Sequence, residues 1–88
     1  MKLIKNNIYN IQLIIENIKY EYIFKFDHFN KGWLYVNGYI QLYNSNIIDY
    51  SSEKNNLILD LNYSEFEIIS ITKADLNMEK KFNKYIEF

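Results

Sequence analysis

From Ile18 to Asp27 the chain alternates between apolar and charged residues almost without a break. Ile18, Tyr20, Tyr22, Phe24 and Phe26 occupy one set of positions, and Lys19, Glu21, Lys25 and Asp27 the other, with Ile23 alone out of pattern. Successive side chains of a strand point to opposite faces, so this segment reads as a strand with one core face and one wet face. A strand of that kind has to pair with neighbours and needs a layer over its apolar side.

The neighbours are legible on both sides. Tyr9 to Ile15 reads as a strand, and Glu16-Asn17 as the turn after it. His28-Phe29-Asn30-Lys31-Gly32 reads as a loop, followed by Trp33 to Val36, Asn37-Gly38, and Tyr39 to Tyr43. Asn-Gly between two β-prone runs is a strong hairpin signal, because a type I′ turn needs positive φ at both central residues. Asn44-Ser45-Asn46 ends that second strand. Ile47 to Asn56 has no clear period, and its part from Ser51 to Asn56 reads as loop. Leu57 to Leu61 and Phe66 to Thr72 read as further strands, joined through Asn62-Tyr63-Ser64.

The end of the chain changes character. Thr72-Lys73-Ala74-Asp75 resembles a capping box. Beyond it Met78, Phe82, Tyr85 and Ile86 fall on one helical face, with Lys80, Lys84 and Glu87 opposite, which predicts a C-terminal amphipathic helix. The competing assignment makes Phe82 to Phe88 a last strand. The fold class is α+β and mostly β. It is a five- or six-stranded antiparallel sheet, or a partly open small barrel, with one C-terminal helix. Either the strands form a meander with the helix across one face, or the sheet curls into a barrel that the helix plugs.

All 88 residues are expected to form a single domain (1–88). A chain this short buries only roughly 60% of the surface it exposes unfolded, so it must pack large side chains or share a core with another molecule. Its composition suits that need, at 49% hydrophobic and 18% aromatic. The net charge of −1 gives no broad electrostatic footprint for nucleic acid or an anionic membrane. Polar residues Asn10, Gln12, Glu16 and Asn17 interrupt the N-terminal hydrophobics, so neither a signal peptide nor a membrane span is expected, and the expected location is cytoplasmic. Ile, Asn, Tyr, Lys and Phe abound while Pro and Arg are absent. That bias follows A/T-rich codons and points to an AT-rich genome, cellular or viral.

Several chemistries lack their residues. There is no cysteine, hence no thiolate nucleophile or thiolate metal site. His28 is the only histidine, and no G-x-S-x-G nucleophile elbow accompanies it; it reads as a surface residue of a loop. Glu65 and Glu67 share a strand face, a pattern that can serve glycoside hydrolysis or hold a cation but is ordinary on a wet face. Asp49, Glu53 and Asp60 do not follow a calcium-loop spacing. Gly32 and Gly38 are both absorbed by turns, which leaves no glycine-rich phosphate cradle. No cofactor is expected, and the chain reads as a non-enzyme.

An Asn37-Gly38 hairpin would place Trp33, Tyr35, Ile40 and Leu42 on one face and Leu34, Val36, Tyr39, Gln41 and Tyr43 on the other. Both faces are rich in apolar residues, more than one short helix can cover. Either the helix covers one face and another sheet layer the other, or one face is left for a partner, in which case the candidate binding surface is Leu34, Val36, Tyr39, Gln41 and Tyr43. Tyrosines suit such surfaces because they bring large area and a polar tip. The expected function is a small protein-binding module, in the form of an inhibitor or immunity-type antagonist from a phage or mobile element. The expected partner is a protein, or a second copy of the chain. A structural subunit of a larger assembly, such as a phage particle, and a single-stranded nucleic-acid-binding small barrel are the alternatives. The last is disfavoured, because the lysines are scattered and balanced by acids and arginine is missing.

Overall fold

Three two-residue turns shape the first half of the molecule. Glu16-Asn17 (φ 49° and 68°), Lys31-Gly32 (52° and 83°) and Asn44-Ser45 (50° and 64°) have positive φ at both residues, the type I′ geometry that matches the twist of paired strands. They bring Ile15 opposite Ile18, Asn30 opposite Trp33 and Tyr43 opposite Asn46. The result is a meander of β1 (Ile8–Ile15), β2 (Ile18–Asn30), β3 (Trp33–Tyr43) and β4 (Asn46–Ser51). Then β5 (Asn56–Asp60) returns to β3, β6 (Phe66–Lys73) crosses to β1, and α1 (Leu76–Tyr85) closes the chain. The sheet is open and antiparallel, in the order β4-β3-β2-β1-β6, with β5 beside β4 on the outer edge of β3. This computed structural model describes residues 2–63 and 65–86. The assignments of Ser64 to a turn, Glu87 to the polar helix face and Phe88 to a last strand lie outside the described residues.

Asn37-Gly38 does not make the expected hairpin. The two halves read as separate strands are one strand, β3, which pairs with β2 along its length. Phe24 faces Tyr39 and Phe26 faces Val36, so Asn37 and Gly38 together oppose Lys25, a β-bulge. Only Gly38 has positive φ, at 88°, whereas a type I′ turn needs two such residues. The Asn37 side chain is engaged elsewhere: its Nδ2 donates to Asp27 Oδ1 at 3.1 Å, and its Oδ1 accepts from the Asn55 amide at 2.8 Å. A two-residue hairpin would pair Val36 with Tyr39, Tyr35 with Ile40, Leu34 with Gln41 and Trp33 with Leu42, and none of these pairs forms. Instead the first half of β3 pairs with β5, Leu34 opposite Leu59, and the second half with β4, Ile40 opposite Tyr50.

Smaller corrections follow from the same hydrogen bonding. His28, Phe29 and Asn30 extend β2, which shortens the expected loop to Lys31-Gly32. Thr72 belongs to β6, and the helix cap is Asp75, whose carboxylate Oδ1 accepts from the Met78 amide at 2.9 Å. The helix runs through Tyr85, which overturns the alternative of a strand from Phe82.

Both faces of the sheet are dry in part. The inner cluster contains Tyr9, Ile11 and Leu13 of β1, Tyr22, Phe24 and Phe26 of β2, Leu34 and Val36 of β3, and Leu59 of β5. Phe66 and Ile71 of β6 pack against it, so strands from both edges contribute to one core. The chain between Asp60 and Phe66 reaches at most about 20 Å. It joins the start of β3 to the far end of β1, and so draws opposite corners of the sheet together. The sheet thus curls over its own inner face, and the helix is not a plug. The outer cluster contains Ile8, Ile23, Ile40 and Leu42 under Ala74, Phe82 and Ile86. Ile23, out of pattern in the alternation, is one of the residues that meets the helix. Ile18, assigned to the core face, is exposed beside its turn.

Candidate functional site

The bulge preserves one feature of the expected hairpin. Like a two-residue turn, it keeps Val36 and Tyr39 on the same face, so Leu34, Val36, Tyr39, Gln41 and Tyr43 do line one side of β3. They do not form one exposed surface. Leu34 and Val36 are 1% and 0% exposed in the inner core, because the curled sheet and β5 cover them. Tyr39 and Gln41 are half-buried, and Tyr43 is 42% exposed.

Beyond the covered zone the inner face continues as paired tyrosine rings. Tyr22 and Tyr39 lie 5.8 Å apart at 63°, and Tyr20 and Tyr43 lie 5.9 Å apart at 50°. Tilted and edge-on arrangements at this separation are the favourable ones for rings. Asp49 of β4 holds both sides of the strand edge. Its Oδ2 accepts the Tyr39 hydroxyl at 2.7 Å and its Oδ1 accepts the Tyr50 amide at 2.9 Å. Burial, followed by the hydrogen bond to Asp49 and its negative charge, pushes the Tyr39 pKa up to about 12. The unfolded phenol ionises near 10, so stability linked to Tyr39 is present below about pH 10 and is lost as pH rises toward 12. Urea melts at pH 7, 10 and 11 should show that Tyr39→Phe reduces the loss of stability above about pH 10. Equal losses in the two proteins would contradict this.

The same edge carries side chains that sequence reasoning missed. Ile48 and Tyr50 are 51% and 54% exposed, and Tyr85, assigned to the core stripe of the helix, is exposed beside Tyr50 at 5.7 Å. Tyr50 and Tyr85 meet on the helix side of the β4 edge, and Tyr43 is exposed on the inner side, beside Tyr20; with Ile48 they form the rim of this edge, contributed by the end of β3, by β4 and by the end of α1. Among the described residues no strand pairs with the outer edge of β4. Ile48 is the extra residue of a second bulge, since Leu42 faces Ile47 and Gln41 faces Asp49. That insertion is why Ile47 to Tyr50 shows no clean alternation. The signal available was the density of large apolar residues in a segment with no period.

The one histidine stands at the other end of β2. His28 Nδ1 lies 2.6 Å from Asp27 Oδ2, and the ring stacks on Tyr35 at 4.6 Å. Asp27 also meets Asn37 and Lys5 Nζ, the latter at 3.4 Å, and hydrogen bonding, from His28 first, lowers its pKa. The His28 contacts with Asp27 and Tyr35 brace the end of β2. Glu65 lies in the turn before β6 and only Glu67 is in the strand. Among the described residues no group of three or more His, Asp or Glu side chains is placed to hold a metal ion. No described helix is long and apolar enough to cross a membrane.

The architecture defines a small β-rich domain, an open curled sheet with a helix on its outer face and an aromatic rim at one edge strand. Compared with protein-family models, curated proteins and solved structures, the chain matches none.

Proposed function

We propose that this chain is a small non-enzymatic protein-binding module that docks its partner on the β4 rim. The observation that carries the reading is the exposure of four large side chains, Tyr43 on one side of the β4 edge and Ile48, Tyr50 and Tyr85 along it and on its helix side, at an edge that no described strand pairs with. Exposed apolar groups clustered in this way mark interaction surfaces, and tyrosine is enriched in them. The free edge of β4 adds backbone N–H and C=O groups that an extended partner segment can pair with. Of the residues expected from sequence, Tyr43 stays in this surface, with Gln41 and Tyr39 behind it; Leu34 and Val36 belong to the core. The small size and the AT-leaning composition support the narrower reading of a cytoplasmic inhibitor or immunity-type antagonist from a phage or mobile element. A role as a subunit of a larger assembly would use the same rim against a second copy.

The test is capture of the partner from the native host, followed by titration of the two purified proteins. Tyr43→Ser combined with Tyr50→Ser should weaken binding by about 30-fold or more, the scale of losing an interface hot spot. Its thermal melt should stay close to that of the parent, because neither side chain belongs to the buried core. His28→Ala should bind as the parent does. Equal binding by the double variant would remove the rim from the interface. Loss of activity in His28→Ala with an intact fold would count against a non-enzymatic role.

A further inference from the structure

The helix side of the rim has a different chemistry. A shallow groove of about 580 Å³ separates α1 from the β3–β4 turn, with residues 45–47 on one wall and Lys80, Lys81, Lys84 and Tyr85 on the other. Among the described residues none of these three lysines is in a salt bridge. Lys84 Nζ lies 5.8 Å from the Tyr85 ring centroid, and that ring contacts Tyr50. The chain as a whole is close to neutral, yet three cations and the Tyr85 ring line this groove, with Tyr50 against Tyr85, and no acid is among the described lining residues. Lys84 also complements the carbonyl end of the helix, a role that Lys80 and Lys81, earlier in the helix, do not share.

We propose that this groove binds single-stranded nucleic acid, with phosphates on Lys80, Lys81 and Lys84 and bases against Tyr85 and Tyr50. A cationic track beside aromatic platforms is the arrangement that holds single strands without reading sequence. It does not need the arginines that recognise base edges. The lysine cluster alone would suit any polyanion; the rings beside it favour a ligand with flat faces over an acidic peptide. The inference shares Tyr50 and Tyr85 with the proposed protein-binding rim, whereas Tyr43 and Ile48 lie outside the groove, so Tyr43 variants separate the two readings.

Fluorescence anisotropy with a labelled fifteen-nucleotide oligothymidylate tests it. Binding should be measurable at about 20 mM salt, and log K should fall against log salt with a slope of about −2 for three phosphate contacts. Lys80→Gln, Lys81→Gln and Lys84→Gln together should weaken binding at least about tenfold and flatten that slope. Tyr50→Leu with Tyr85→Leu should weaken it by about 5-fold or more, while Tyr43→Ser should leave it unchanged. Melting curves establish that each variant is folded. No binding at low salt, or indifference to the lysine or the tyrosine changes in folded protein, would overturn the proposal. Equal binding of a labelled deca-glutamate would also overturn it, by assigning the groove to an acidic protein segment.

Discussion

Replacing Phe24 by alanine should lower the unfolding free energy by about 3–5 kcal/mol, the usual range for a buried aromatic ring. Phe24 is fully buried at the middle of the longest strand. It faces Tyr9 on β1 and Tyr39 on β3, and its ring lies 6.1 Å from that of Tyr9. A cavity there opens under three strands at once, and the paired backbones on either side limit collapse into it. Lys19→Ala, an exposed change on the same strand, should cost less than about 0.5 kcal/mol. Denaturant melts of both variants give the comparison. A domain of this size has roughly 4–13 kcal/mol of stability in total, so the first variant should be visibly close to unfolding. Equal small effects would mean that the inner face of β2 is not core.

Phe82→Ala should have an effect of the same size, about 3–5 kcal/mol, with a different signature. Phe82 is the fully buried residue of α1 and packs with Ile8, Ile23, Ile40 and Leu42 on the outer face. Lys25 Nζ also lies 5.8 Å from its ring centroid. A ten-residue helix is marginal alone in water, so its helicity depends on that contact. Hydrogen exchange should show the amides of α1 losing protection before those of β2. Unchanged protection of the helix in a folded variant would place its anchor elsewhere.

What the sequence disclosed and what it hid divide along physical lines. Local signals held where one residue pattern had one outcome: the alternation through Phe26, the Glu16-Asn17 turn, and the helical stripe with Phe82. The Asn37-Gly38 signal failed because its geometry can be met in two ways. An Asn-Gly pair can close a two-residue hairpin, or its glycine alone can take positive φ in a bulge. The choice is made by partners distant in sequence, Asp27 and Asn55, which hold the Asn37 side chain. The surplus of apolar residues on both sides of β3 was legible, but not its destination. The Leu34 and Val36 part is covered by β5 and the curl of the sheet, and the Ile40 and Leu42 part by α1. The rim was hidden for a related reason. A bulge at Ile48 erases the period by which an edge strand is recognised, and Tyr85 shares a helical stripe with Phe82 while facing water.

The location of the free surface rests on β3 being one strand, so the decisive measurement is the set of cross-strand proton contacts along it by NMR. A continuous, bulged β3 predicts backbone contacts of Phe24 with Tyr39 and Phe26 with Val36, and of Leu34 with Leu59. It keeps Trp33 and Leu42 about 30 Å apart along the strand. A hairpin at Asn37-Gly38 would instead pair Trp33 with Leu42 at about 5 Å. Contacts between Trp33 and Leu42 would contradict this account and return Leu34 and Val36 to the candidate surface; their absence, with the Phe24–Tyr39 and Leu34–Leu59 contacts present, is the result it predicts.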